Sequence, residues 1–352
     1  MKNKSILVVL SILLLGILLT SCTGASTTNS WAGVTASDTA VYFTNGTSVL
    51  ALNADSGTNI WTYPPTVAAT RLFYAAPAIA GDQLIIGDYS GMLVGVGIRD
   101  GKELWQFTGA KGRYVDSPLV VNKQIIAQNA DAKIYALDLT GNLQWTFQAK
   151  HAFWATPVSD GTTVFAPSLD HNLYALNLAD GKLKWKADLG GPLVGRPTLA
   201  PDGTIYIGTL GNILYAINSA DGSVKWQQKL TDAIWSAPVL LADRLYIGDQ
   251  SGKISIVSTV DGSIIQSIDV QSAILGDGVV MNDNIVFGDE KGDIIVIGKN
   301  GERIRTPSIT GKLYSNLVFN NNRLYVLTTK GDKPLYAYDA NGTEIWAYST
   351  SK

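Results

Sequence analysis

The chain has 352 residues, with 27 Lys plus Arg against 29 Asp plus Glu, 35 Gly, nine Trp, one Cys and two His. Hydrophobic residues make up 46% and charged residues 16%, enough apolar material for a large core and incompatible with a disordered chain. A net charge of -2 without a basic block gives no footprint for nucleic acid. A single Cys excludes an internal disulfide or thiolate cluster, and two His leave little for a histidine-based metal site.

At the N-terminus, Lys2 and Lys4 precede an apolar run from Ile6 to Leu19, interrupted only by Ser11 and Gly16. The run falls short of the roughly 20 residues needed for a membrane span and reads as a secretory signal. It ends in Leu19-Thr20-Ser21-Cys22, which resembles the bacterial lipobox, in which the Cys is lipidated and becomes the first residue of the mature chain. Residues 1–21 are therefore expected to be a lipoprotein signal peptide, with Cys22 as the lipidation site. Residues 22–30 form the lipidated N-terminus and a polar tether. At about 3.5 Å per residue the tether reaches under roughly 30 Å, which keeps the folded body, residues 31–352, close to its membrane.

From Trp31 onward the chain repeats. A Gly opens a segment that ends in Trp four residues later at Gly57/Trp61, Gly101/Trp105, Gly141/Trp145, Gly181/Trp185, Gly222/Trp226 and Gly342/Trp346. Degenerate copies at Gly262/Gln266 and Gly301/Arg305 complete eight units, whose glycines are 39 to 44 residues apart. Upstream of each Gly lie alternating strands such as Leu173-Tyr174-Ala175-Leu176-Asn177 and Ile205-Tyr206-Ile207-Gly208. Four short strands, A to D, per unit of about 40 residues is the period of a β-propeller blade. The expected fold is all-β, an eight-bladed propeller of four-stranded antiparallel blades.

The tighter form of the repeat, Ala-x-(Asp/Asn)-x-x-x-Gly-x-x-x-Trp, occurs at Ala51–Trp61, Ala175–Trp185 and Ala216–Trp226. Gly95–Trp105 has the same length, while Ala136–Trp145 and Ala337–Trp346 are one residue shorter. This resembles the tryptophan-docking motif of the quinoprotein (pyrroloquinoline quinone) repeat family. The resemblance implies structural docking roles for Trp61, Trp105, Trp145, Trp185, Trp226 and Trp346, each stacking against the neighbouring blade.

The remaining tryptophans, Trp31, Trp154 and Trp235, stand at the start of strand A, and Tyr74, Tyr114 and Tyr314 are assigned the same position in three further units. Strand A is innermost in a propeller, so these rings should gather at one mouth of the central channel, with Arg113 and Arg196 nearby. They are expected either to pack between blades or to form a binding rim, aromatic and Arg residues being enriched at binding hot spots.

Quinoprotein dehydrogenases share the repeat but carry a calcium site, a catalytic Asp and inserted loops. Here the only Cys is assigned to lipid, no long insertion is present, and no catalytic residue, metal ligand or cofactor site is expected. Turns such as Gly248-Asp249-Gln250-Ser251-Gly252 read as hairpin chemistry. A lipid-tethered propeller of this repeat is similar to the BamB-type lipoproteins of the outer-membrane β-barrel assembly machinery. The resemblance implies a non-catalytic scaffold that binds envelope proteins, including a β-barrel assembly component, and is attached to the membrane by its lipid. It would lie on the periplasmic face of an outer membrane if the host has one, and otherwise on the cell surface. A quinone-dependent enzyme and a surface sensor or glycan-binding propeller stay open as alternatives.

Overall fold

The computed structural model describes residues 32–67, 70–305 and 307–349; the signal segment, Cys22, the tether and Trp31 lie outside them. Eight four-stranded antiparallel sheets follow one another along the chain, each in the order A-B-C-D. They span residues 34–63, 78–107, 119–148, 158–188, 198–229, 239–269, 279–305 and 318–348, numbered here as blades 1 to 8. The protein is an eight-bladed β-propeller.

Burial explains the differing appearance of the strands. Strands B and C are covered on both faces by neighbouring blades and read as continuous apolar runs; Leu84, Ile85 and Ile86, for example, are fully buried. Strand D is the outer edge and alternates, as in Leu183–Asp188, where only Trp185 and Ala187 are partly covered. In every blade the C–D register shifts immediately after the residue that opens the docking motif, between Ala175 and Leu176 in blade 4 and Ala216 and Ile217 in blade 5, for instance. The resulting bulge increases the local twist.

The docking tryptophans join the blades in two ways. Each indole lies beneath the turn glycine of the next blade, so that a Cβ on Gly181 would sit 2.4 Å from the Trp145 ring. That glycine also has φ +68°, a conformation that L side chains rarely adopt. The indole N–H then donates to a carbonyl of the same turn: Trp61 to Ile98 at 3.1 Å, Trp145 to Leu178 at 2.9 Å, Trp185 to Ser219 at 3.0 Å, and Trp226 to Thr259 at 3.0 Å. Trp61, Trp145 and Trp346 are buried, whereas Trp105, Trp185 and Trp226 are half-buried.

Blade 2 makes this connection indirectly. The facing turn of blade 3 is one residue shorter, and Trp105 instead donates to Gln83 Oε1 at 2.9 Å, while Gln83 Nε2 donates to the Leu139 carbonyl at 2.7 Å. The side-chain amide thus relays the bond across the interface. It also accounts for Gly95 where other blades have Ala, since a Cβ there would lie 2.3 Å from the Trp105 ring nitrogen and 2.6 Å from Gln83 Oε1.

Blades 6 and 7 reveal a steric rule. Opposite each docking Trp on strand C stands Ala, or Gly at position 95, whereas Gln266 and Arg305 are paired with Ile256 and Val296. A larger residue occupies the space an indole needs. Gln266 keeps part of the contact, donating from Nε2 to the Gly301 carbonyl at 3.0 Å.

Among the described residues no strand is exchanged to close the ring, because each sheet is a continuous stretch of chain. Blades 8 and 1 meet through a cluster that includes Phe43, Leu50, Leu52, Tyr325 and Leu335. Trp346 donates to the Ala54 carbonyl at 2.9 Å, Arg323 pairs with Asp55, and Ser315 Oγ donates to the Ala32 carbonyl at 2.5 Å.

Two stability outcomes follow from these contacts. Trp145→Ala should cost about 3–5 kcal/mol in chemical denaturation, with Trp185→Ala costing less because its ring is half-exposed. Gln266→Trp alone should overpack against Ile256 and destabilise by about 1–3 kcal/mol. Adding Ile256→Ala should recover the loss, and a double variant no more stable than the single one would refute the steric rule.

Candidate partner-binding face

One face of the disc is built from the linkers that lead into strand A and from the B–C turns. A buried polar residue organises the turn in each of blades 2 to 7: Asp88, Asn129, Ser168, Thr209, Asp249 and Asp289 are 0–1% exposed. In blade 2, Asp88 Oδ1 accepts from the Ser90 and Met92 amides at 2.9 and 3.0 Å and from Ser90 Oγ at 2.6 Å. The carboxylate of the Gly-Asp turn is therefore occupied in shaping its own hairpin. Neighbouring linkers add backbone bonds, such as Phe153 N–H to the Asn129 carbonyl at 3.2 Å and Ile234 N–H to the Thr209 carbonyl at 3.1 Å. The face is consequently a rigid surface although it consists of loops.

The linkers carry two adjacent rows of side chains. One row is buried: Phe73, Tyr114, Phe153, Leu193, Ile234, Ile274 and Leu313 are 0–1% exposed. The other, one residue later, is half-buried: Tyr74, Val115, Trp154, Val194, Trp235, Leu275 and Tyr314. Tyr114 therefore does not belong to the aromatic rim. Its ring lies in the core against Gly87, whose added Cβ would be 2.5 Å from Tyr114 Cβ. Proline spacing carried the signal for this correction, because Pro77, Pro157 and Pro238 follow Tyr74, Trp154 and Trp235 by three residues, whereas Pro118 follows Tyr114 by four.

Three of the expected residues converge across blades 2 to 4. Tyr74 packs on Tyr89 with ring centroids 4.7 Å apart, and the Arg113 guanidinium lies 5.2 Å from the Tyr89 ring and 6.0 Å from that of Trp154. Arg113 is exposed and the aromatic residues are half-buried, so the ladder combines a desolvated base with an accessible cation. Tyr89 was not expected. Its sequence signal is an aromatic residue in the turn Gly87-Asp88-Tyr89-Ser90-Gly91, where the other such turns carry polar residues. Burial pushes the Tyr89 hydroxyl up to about 12, against the opposing effect of the Arg113 charge. The nearby Arg71 is held internally, with Nε 2.8 Å from Asp88 Oδ2 and Nη1 donating to Tyr63 Oη at 3.1 Å.

The other candidates lie apart from the ladder. Arg196 occupies the channel mouth between two carboxylates, 3.7 Å from Asp116 and 4.0 Å from Asp277. Asp116 accepts from the Thr156 amide at 2.9 Å and Asp277 from that of Ala237 at 2.6 Å, so the three charges link blades 3 to 7 around the mouth. Burial raises the Asp277 carboxyl, and Arg196 pulls it back. Trp235 donates to Gln250 Oε1 at 3.1 Å within blade 6, and Tyr314, on the linker into blade 8, donates to Glu290 Oε1 of the blade 7 turn at 2.7 Å. Among the described residues no group of three His, Cys, Asp or Glu is placed to hold a metal ion.

The family described as "Outer membrane protein assembly factor BamB" matches residues 25–117, 45–153 and 130–276. The chain belongs to this family. It is similar to BamB of Xanthomonas campestris, 32% identical over 95 residues, which are 27% of this chain and 23% of that protein. It is also similar to protein Rv3035 of Mycobacterium tuberculosis, 48% identical over 65 residues, or 18% and 16% of the two chains. The matched stretches thus span under a quarter of either relative. The crystal structure of BamB from Moraxella catarrhalis superposes with a TM-score of 0.73 at 20% identity, covering 85% of this chain and 91% of that one. The designed protein Ika8 superposes with a TM-score of 0.76 at 14% identity, covering 88% and 96%. At these identities the superpositions establish the fold, which BamB shares with a designed protein.

The two rows predict opposite behaviour on truncation. Tyr114→Ala should lower stability by about 3–5 kcal/mol, as for a large buried aromatic residue. Trp154→Ala should unfold near the wild-type temperature in a thermal melt; equal losses in the two variants would contradict the row assignment.

Proposed function

We propose that the protein is a non-catalytic, lipid-anchored scaffold of the cell envelope, whose linker face binds a partner protein during outer-membrane β-barrel assembly. The observation that carries this reading is the continuous Tyr74–Tyr89–Arg113–Trp154 ladder. It unites residue types that dominate binding energy on a surface braced by backbone hydrogen bonds. Membership of a family described by an assembly factor supports the process, and the resemblance of Leu19–Cys22 to a lipobox supports the location. The protein would then be extracytoplasmic, on the periplasmic face of the outer membrane or, in a host without one, on the cell surface.

Capture from the native envelope tests the reading. Arg113→Ala/Trp154→Ala should remove the co-purifying β-barrel assembly component while the melting temperature stays near wild type. Retention of that component would overturn the ladder as the binding site. Mass spectrometry of the mature N-terminus should find diacylglycerol on Cys22, and Cys22→Ser should release the body from membranes; a native chain starting elsewhere without lipid would refute the anchor.

A further inference from the structure

On the half of the ring opposite the ladder, the same face carries an open groove of about 700 Å3 between the B–C turns of blades 6 to 8 and the linkers leading into blades 7 and 8. Its charged lining comprises Lys291, Lys312, Lys330 and one carboxylate, Glu290.

The Glu290 charge is already matched. Lys312 Nζ donates to Glu290 Oε1 at 2.6 Å, and Tyr314 Oη donates to the same oxygen at 2.7 Å. These bonds hold the Glu290 carboxyl below its ordinary value, and the pairing raises the Lys312 ammonium. Lys291 Nζ donates to the Gln271 carbonyl at 3.0 Å, a neutral acceptor that leaves its charge uncompensated. Lys330 is exposed at the blade 8 turn, where φ +60° fixes its backbone in the left-handed region. Among the described residues neither Lys291 nor Lys330 has a carboxylate within ion-pair distance. Beneath the groove, burial raises the Asp289 carboxyl, and the Asp293 carboxylate accepts from Ser308. Two unmatched cations thus stand on separate blades of a chain whose net charge is -2.

A single small anion fits this arrangement poorly, because the described lining contains no Arg to fork around it and its two unmatched lysines stand on separate blades. Lysines on different blades act as separate point charges and suit separate carboxylates. The polar rim at Gln250 and Gln271 can accompany a peptide backbone, and the volume is that of a site for a short segment.

We propose that this groove binds an extended acidic peptide segment, with at least two Asp or Glu carboxylates that reach Lys291 and Lys330. The site is separate from the aromatic ladder and does not depend on the assembly role.

The test uses the mature protein and a fluorescein-labelled octapeptide of alternating Ser and Glu, followed by fluorescence anisotropy. The Glu peptide should bind and its Gln counterpart should not, and binding should weaken as salt rises from about 50 to about 200 mM. Lys291→Glu/Lys330→Glu should reduce affinity by about tenfold or more. Lys102→Glu/Lys182→Glu, which alters two exposed lysines on the other face, should leave affinity unchanged, as should Trp154→Ala. If the charge-reversed pair unfolds, Lys291→Ser/Lys330→Ser provides the same comparison. Absence of binding, an equal loss in the control pair, or competition by inorganic phosphate beyond that of NaCl at matched ionic strength would overturn the proposal.

Discussion

The fold depends on one repeated contact, an indole of one blade lying beneath the turn glycine of the next and donating to a carbonyl of that turn. The contact requires a small residue beneath the ring, a left-handed glycine above it and a free carbonyl beside it. Where all three occur, the connection is direct, as at Ala175, Trp185 and Gly222. Where the turn is shortened, as in blade 3, Gln83 restores the hydrogen bond, and the residue below the ring is reduced to Gly95 to accommodate the extra amide. Where the small residue is absent, so is the tryptophan. These departures are physical compensations within one chain.

Much of this was legible in the sequence because the repeat samples the same geometry eight times. The Gly-to-Trp spacing identified the blades, the turns and six docking residues without reference to distant contacts. The Gln83 relay was not legible, since its partners Trp105 and Leu139 lie 22 and 56 residues away and only the folded interface brings them together. Ile256 and Val296 could be read as ordinary strand residues until their pairing with Gln266 and Arg305 placed them in the space an indole would occupy.

The functional face was partly legible for the opposite reason: strict alternation makes a shift of one residue decisive. Tyr114 is aromatic, near a proline and at the start of strand A, yet its ring points into the core while that of Trp154, one place later in register, reaches the surface. Tyr89 comes from a different loop, and its tilted packing against Tyr74 depends on the linker and the B–C turn of blade 2 lying side by side. Lys291, Lys312 and Lys330 are likewise unremarkable as a sequence, because a charge pattern spread over three loops acquires meaning only when the loops become neighbours. One end of the disc thereby presents an aromatic cation ladder and, across the channel mouth, a lysine-lined groove.

Closure without strand exchange has an architectural consequence. The junction between blades 8 and 1 has the chemistry of the other tryptophan junctions, an indole entering a glycine turn, but no peptide bond spans it. Any linker is therefore an equivalent place for a chain of this kind to begin, and circular permutants cut between blades would retain every sheet intact. Whole blades of the docking type can likewise be gained by duplication without disrupting hydrogen-bonded ladders, since each such unit brings both its indole and its receiving turn. A fragment that cannot close on itself would expose one of each at its two ends, complementary surfaces suited to head-to-tail association with another copy.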